Sequence, residues 1–342
     1  MSVASPLRLG IDRSALTANW RALDRLAGGA ACGAAVKADG YGLGAIEVVG
    51  SLADVGCRDF FVATWAEAAA IAAPGVTVSV LHGVREEDMG VATGGIARPV
   101  LNSDAQVARW KAAGGARCDV MVDTGMNRLG VSPAAIAGGL LDGLAIETLM
   151  SHLACADEDS AMNERQRAAF AALAGTTGAR RMSLANSAGI GLGADYAFDL
   201  VRPGLALYGG LPTHRFADII RQVVTPEAQI LQRRTVPAGE TVGYNATWTA
   251  RAPTEVAILN IGYADGYARG FSGTGSAGGG TLPVLGRVSM DLLAVDVTSR
   301  PDATEGDWIA LDYALPEAAA RSGLSQYELL TGLGERFARV WR

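Results

Sequence analysis

The sequence predicts an α/β chain: a (β/α)8 barrel of the TIM type followed by a mostly antiparallel β domain. Two patterns and a length predict it. Over roughly the first two-thirds of the chain, short apolar runs alternate with Ala- and Leu-rich helical stretches, the signature of parallel strands joined by helices. Near residue 220 that alternation gives way to strand-like runs separated by Gly- and Pro-rich turns. At 342 residues the chain exceeds one ordinary domain and accommodates two.

Eight runs read as the barrel strands: Cys32–Lys37, Asp59–Thr64, Val76–His82, Arg98–Asn102, Asp119–Asp123, Ile146–Leu153, Arg181–Ser187 and Leu200–Tyr208. Amphipathic segments such as Trp65–Ala73, Asp104–Ala113 and Ala161–Ala174 lie between them. Eight repeats in this span fit a closed parallel barrel better than an open doubly wound sheet. The expected division is a barrel over residues 1–220 and a β domain over 221–342. In the latter, Ala228–Arg234, Val256–Ile261, Thr281–Val284, Leu292–Val297 and Trp308–Leu311 read as strands, and a short helix at Gln326–Leu333 precedes a last strand, Phe337–Trp341. The stretch Ser272–Gly280 reads as a flexible surface loop rather than a phosphate cradle, because no strand-to-helix context surrounds it.

Composition removes several classes. A net charge of −6 disfavours a nucleic-acid partner, which wants a basic face. Apolar stretches such as Ala68–Val80 and Ala134–Leu149 are broken well short of the ~20 residues a membrane span needs. No secretory signal is visible in MSVASPLRLGIDRS, so a cytoplasmic protein is expected. The four cysteines, with no CxxC pair, are expected as free thiols. Three histidines give no metal-ligand spacing, so no metal is expected and attention turns to organic cofactors.

The most informative segment is AAVKADGYGLG, Ala34–Gly44. Lys37 ends an apolar run and so falls at the carboxyl end of the first barrel strand, where barrel active sites are built. A lysine entering an apolar site shifts toward its neutral amine, the form that adds to an aldehyde. A lysine leaving the strand for solvent would look the same from position alone.

Other segments join it: VDTGMNRLG (Val122–Gly130), MSHLACADE (Met150–Glu158), LANSAG (Leu184–Gly189), VRPGLALYG (Val201–Gly209), VGYNATW (Val242–Trp248), IGYADGY (Ile261–Tyr267) and GRVSMDLLAVDVT (Gly286–Thr298). With AVKADGYGLGA they resemble, in order and along almost the whole chain, the alanine racemase family of pyridoxal-phosphate enzymes. The resemblance implies a homodimer with shared active sites and pyridoxal 5′-phosphate as cofactor. Lys37 matches the lysine that holds the cofactor and then serves as a base on one face of the substrate α-carbon. Tyr244 matches the second base, supplied by the partner subunit, and His152 the neighbour that hydrogen-bonds it. Arg202 matches the arginine that faces the cofactor's pyridine nitrogen. There a cation weakens the ring as an electron sink and favours proton exchange over transamination. Without the resemblance, His152 reads as a satisfied structural group and Arg202 as a surface ion-pair partner.

The same resemblance assigns phosphate binding to Tyr41, Ser187 and the backbone around Gly204 and Leu205, after the seventh and eighth strands. It places Arg128 and Met290 against the substrate and lines the entrance and site with Asp291 and Tyr263, though Tyr263 also reads as a packing aromatic. Two positions depart from the pattern. Met121 stands where many relatives carry a lysine, often carbamylated, that orients the arginine corresponding to Arg128, and Ser289 stands where some carry Cys. The expected reaction is interconversion of L- and D-alanine, supplying D-alanine for peptidoglycan. A serine or broader-specificity racemase is the alternative. An amino-acid decarboxylase is disfavoured by Arg202 in place of an acidic partner. A non-catalytic cofactor carrier is disfavoured by the second domain.

Overall fold

In the computed structural model the described residues run from 4 to 342, and they form two compact units. One holds residues 16–207 and 211–220; the other holds the described residues up to 15, residues 208–210 and residues 221–342.

The first unit is the parallel barrel. Seven neighbouring strands follow one another in sequence order: Ala34–Ala35, Asp59–Val62, Thr77–Val80, Arg98–Leu101, Cys118–Met121, Ile146–Met150 and Arg181–Ser183. The eighth, Leu200–Val201, pairs in parallel with Ala31–Cys32, the first half of the opening strand. Closure is completed by backbone bonds from Gly33 N to Val201 O (2.9 Å) and Ala35 N to Pro203 O (2.8 Å) on one side, and from Asp199 N to Met182 O (3.0 Å) on the other. Buried on both faces, these strands carry continuous apolar runs instead of an alternating pattern, as in the wholly buried DFFV of Asp59–Val62. Hydroxyl and amide caps start the helices that follow: Thr64, Ser103, Ser132, Ser160 and Asn186 each accept a bond from a first-turn N–H. The expected strand Leu200–Tyr208 is shorter than its apolar run, because the chain turns at Pro203–Gly204 into a 3-10 turn over Leu205–Tyr208.

A buried charge cluster fills the amino end of the barrel. Asp119, fully buried, accepts from Ser79 Oγ (2.6 Å), Arg98 Nε (3.3 Å) and the Thr148 amide (3.0 Å). Asp59 accepts twice from Arg181, at 2.8 and 3.0 Å. Removing one member leaves a buried charge uncompensated. Asp119→Ala is therefore expected to destabilise the protein by about 3 kcal/mol, read as a lower urea midpoint at unchanged slope. An unchanged midpoint would show that the cluster does not hold the barrel's amino end.

The second unit is built on one eight-stranded sheet, antiparallel apart from a single parallel pair. Its spine is the 13-residue strand Val224–Val236, bulged between Ile230 and Gln232. The first half of the spine pairs with Leu7–Ile11 and the second with Thr254–Leu259. Val236, Val242, Ala250, Val256 and Leu285 form a buried cluster beneath it.

Two expectations change here. Leu7–Ile11 belongs to this sheet, so the expected division at residue 220 misplaces the start of the chain; residues 1–3 lie outside the described residues. The strand also pairs in parallel with the last strand, Ala338–Trp341, so chain start and chain end share one edge. Nor is the glycine-rich stretch a flexible loop. Ser276–Ala277 pairs with Leu282–Leu285, and the Asp312 carboxylate accepts from the Gly279 and Gly280 amides at 2.9 and 2.8 Å. The glycines accept φ near +70 to +85°, and the carboxylate gathers their N–H groups.

Candidate active site

At the carboxyl face of the barrel the first strand ends in an unusual turn. Ala38, Asp39, Gly40 and Tyr41 all take positive φ, at 53°, 52°, 61° and 56°. Three of them are not glycine, and each costs about 1–2 kcal/mol in the left-handed region. Local bonds hold the turn: Gly42 N to Ala38 O and Gly44 N to Asp39 O, both 2.9 Å, and Ala45 N to Asp39 Oδ1 at 2.8 Å. Strain of this kind persists where the surroundings over-determine it, and it clusters at functional sites. Lys37 stands at its start. Among the described residues its ammonium has no hydrogen-bond or ion-pair partner. Burial of the amine, followed by the nearby Arg128 cation, lowers its proton affinity, while Glu67 acts the other way.

Arg202 emerges just after the eighth strand and is buried. Its Nη1 donates to Ser183 Oγ and its Nη2 to Ser151 O. No carboxylate pairs with it among the described residues. Burial pulls its pKa down to about 10, opposed by the charge of Asp119. The arginine is thus no surface ion-pair partner: it is a buried cation whose satisfied bonds are to neutral oxygens. His152, mostly buried after the sixth strand, is driven to a pKa of about 3 by burial and by Arg202, Arg128 and Lys37, and it stays a neutral imidazole near pH 7.

Ser151, between them, is a structural link. Its hydroxyl donates to Val122 O (2.8 Å) and accepts from Thr124 Oγ1 (2.7 Å). Buried Gln166 then bonds Thr124 Oγ1, His152 O and the Ala154 amide.

Small residues make a cradle beside the lysine turn. Ser187 Oγ accepts from the amides of Gly204 (2.9 Å) and Ala206 (3.2 Å), which leaves its one hydrogen free to donate elsewhere. The Leu205 amide has no acceptor among the described residues. A Cβ on Gly204 would stand 2.3 Å from Tyr41 Oη, so only glycine lets the phenol approach this backbone. A hydroxyl, a phenol and an unspent amide fit a phosphate group. The buried cation fits a neutral ring nitrogen as acceptor, and a lysine of lowered proton affinity fits covalent attachment to an aldehyde. The residues present therefore suit pyridoxal 5′-phosphate.

Arg128 is exposed on the loop after the fifth strand. Met121, buried at that strand's end, offers it no charge. The backbone fixes the loop instead. Val131 N donates to Met121 O (2.9 Å), and Asp123 Oδ1 accepts from Gly125 and Asn127 amides at 2.8 and 3.1 Å.

The remaining expected residues lie in the second unit. Tyr244, 67% exposed, sits on a turn where Gly243, Asn245 and Ala246 take positive φ. It lines a recess of about 260 Å³ with Tyr263, Met290, Arg269 and Arg287. The guanidinium of Arg269 lies 4.8 Å over the Tyr263 ring. Met290 O accepts from Ala264 N at 3.0 Å, and a Cβ on Gly262 would stand 2.3 Å from that same carbonyl. Arg336 ties this turn to the next by bonding Asp265 (2.6 Å) and Asp291 (2.7 Å). Tyr263 thus faces a recess and not the core, whereas Tyr267 is buried against Phe271. Sequence reading gave no role to Arg269, or to Arg287 although it lies inside the GRVSMDLLAVDVT segment. It also missed Glu67, whose signal was present as the capping pattern Thr64-x-x-Glu67.

A parallel barrel with a tuned lysine, a buried cation and a small-residue cradle at its carboxyl face is the arrangement of a barrel enzyme, and it suits an organic cofactor. Family comparison makes this specific. The model of the alanine racemase N-terminal domain matches residues 11–212, and that of the C-terminal domain matches residues 223–341. An alanine racemase of Acidiphilium cryptum is 44% identical, with 97% of this chain and 98% of the relative covered. The crystal structure of alanine racemase from Bartonella henselae with covalently bound pyridoxal phosphate superposes with a TM-score of 0.90 at 35% identity, covering 99% and 100% of the two chains. That of the biosynthetic alanine racemase from Pseudomonas aeruginosa gives 0.89 at 34%, with the same coverage. The chain belongs to the alanine racemase family and is an amino-acid racemase. Among the described residues no helix is long and apolar enough to cross a membrane.

Proposed function

We propose that the chain interconverts L- and D-alanine by a two-base mechanism with pyridoxal 5′-phosphate held at Lys37, and that it supplies D-alanine for peptidoglycan. The observation that carries this reading is the buried, carboxylate-free Arg202 at the same barrel face as Lys37. When bound, the cofactor supplies the electron sink that acidifies the substrate's α-hydrogen. Ser187 Oγ–H, Tyr41 Oη and the Leu205 amide hold its phosphate. Arg202 would meet the ring nitrogen with a cation, which would disfavour protonation there and favour reprotonation at the α-carbon. Arg128 receives the substrate carboxylate near Lys37.

Inversion needs proton transfer on both faces of that carbon. Lys37 Nζ serves one face. Tyr244 Oη serves the other, contributed by a second copy of the chain, so the active unit is a homodimer with shared sites. Exposure of Tyr244 on the rim of its own recess, with Met290 and Leu292 also exposed, supports this assembly. His152, neutral near pH 7, hydrogen-bonds Tyr244 without adding a charge.

Circular dichroism of L-alanine, followed with purified cofactor-saturated protein, tests the reaction. The signal is expected to decay to zero with total alanine unchanged. A persistent signal from alanine alongside a decaying one from serine would move the assignment to serine.

A further inference from the structure

Glu67 lies on the helix after the second barrel strand, and its two carboxylate oxygens face in different directions. Oε2 accepts from the amides of Ala63 (2.7 Å) and Thr64 (3.2 Å). Oε1 accepts from the Ala38 amide at 2.8 Å, across 29 residues of sequence. Thr64 Oγ1 in turn caps the Glu67 amide at 3.3 Å.

A capping box requires only the reciprocal pair between Thr64 and Glu67, the Thr64 amide to Glu67 Oε2 and the Glu67 amide to Thr64 Oγ1. The bond to Ala38 is additional, and it lands on the first residue of the strained left-handed turn, directly after Lys37. We propose that Glu67 is a positioning residue for Lys37: its carboxylate pins the left-handed turn to the end of the second strand and so fixes the direction in which the lysine leaves the barrel. The inference rests on the reading of Lys37 as the cofactor lysine. Glu67 has a second, electrostatic hold. The charged groups acting on Lys37 are Arg128, which disfavours the ammonium, and Glu67, which favours it; His152 nearby is neutral.

These two roles separate by substitution. In Glu67→Gln the charge is gone and one oxygen becomes a nitrogen that cannot accept, so the Ala38 amide either loses its acceptor or keeps a weaker neutral one while Ala63 and Thr64 lose theirs. Glu67→Asp keeps the charge but is one methylene too short to span both strands. Thr64→Val removes only the helix cap. The probe is pyridoxal 5′-phosphate added to the cofactor-free full-length protein. Its covalent attachment is followed by absorbance across pH and, after borohydride reduction, by mass at Lys37; amide exchange of Ala38 is measured in parallel.

Attachment by a neutral amine rises through the lysine's pKa, so loss of the favourable carboxylate moves the midpoint to lower pH. Glu67→Gln is expected to show that lower midpoint, a plateau rate reduced about tenfold, and Ala38 exchange accelerated by about the same factor. Glu67→Asp is expected to keep the midpoint and lose the plateau rate. Thr64→Val should leave all three readings as in the wild type. A Thr64→Val protein that reproduces the Glu67→Gln changes, or a Glu67→Gln protein that matches the wild type, overturns the proposal. Lys37→Ala serves as the separate control: if it takes up the label as the wild type does, the lysine assignment itself is wrong whatever Glu67 does.

Discussion

Replacing Lys37 with alanine is expected to abolish covalent capture of pyridoxal 5′-phosphate and to lower alanine racemisation by about 10⁴-fold or more, since the attachment point and one of two proton-transferring groups disappear together. The fold has little reason to suffer. Lys37 makes no hydrogen bond or ion pair among the described residues, and its surroundings disfavour its charged form. The thermal midpoint of the cofactor-free variant should therefore stay close to that of the cofactor-free wild type. The holo forms should diverge, because only the wild type gains stability from tight attachment. Lys37→Arg sharpens the result: it restores a cation of similar reach that is not deprotonated in proteins and cannot form the bond. Borohydride reduction followed by peptide mass mapping reads the outcome. A label that persists in Lys37→Ala, or one found in wild-type protein on Lys111 (the chain's one other lysine), would remove Lys37 from the mechanism.

Much of the barrel was legible in the sequence because its strands are buried on both faces. Runs such as Phe60–Val62 are then apolar without alternation and are followed by a capping residue at the next helix. What stayed hidden depended on contacts far apart in sequence. Leu7–Ile11 carries no local mark of the domain it joins, and only its pairing with Val224–Ala228 and Ala338–Trp341 assigns it. The order of Ser272–Gly280 depends on a carboxylate more than thirty residues away, Asp312. At the site the motifs placed Lys37, Ser187, Gly204 and Arg202 at one barrel face. They did not reveal that Arg202 is buried among neutral oxygens. Nor did they reveal that the residues after Lys37 are left-handed, since Ala38 and Asp39 carry no local preference for positive φ strong enough to announce it. In sequence, Met121 left open what positions Arg128 in place of the lysine that many relatives carry. In the fold that loop is shaped by backbone bonds and by Asp123, which no charge rule points to.

Tyr244→Phe is expected to lower racemisation by about 10²–10⁴-fold, the range associated with losing a positioned acid–base group. It should do so without unfolding the chain, because the phenol is largely exposed in its own unit and only its oxygen is removed. Proton exchange should survive on one face. In deuterated solvent one alanine enantiomer would acquire α-deuterium with retention of configuration, through Lys37, while the other exchanged far more slowly. Equal loss of exchange from both enantiomers would count against two bases on opposite faces. Mixing provides the stronger test of a site shared between subunits. If Lys37 of one chain works with Tyr244 of another, a dimer of one Lys37→Ala chain and one Tyr244→Phe chain contains one intact site and one lacking both groups. Random reassortment of the two inactive proteins makes about half of the dimers mixed, so about a quarter of wild-type activity should return. If both bases came from the same chain, no pairing of these variants could assemble a complete site, and the mixture would stay as inactive as its parts.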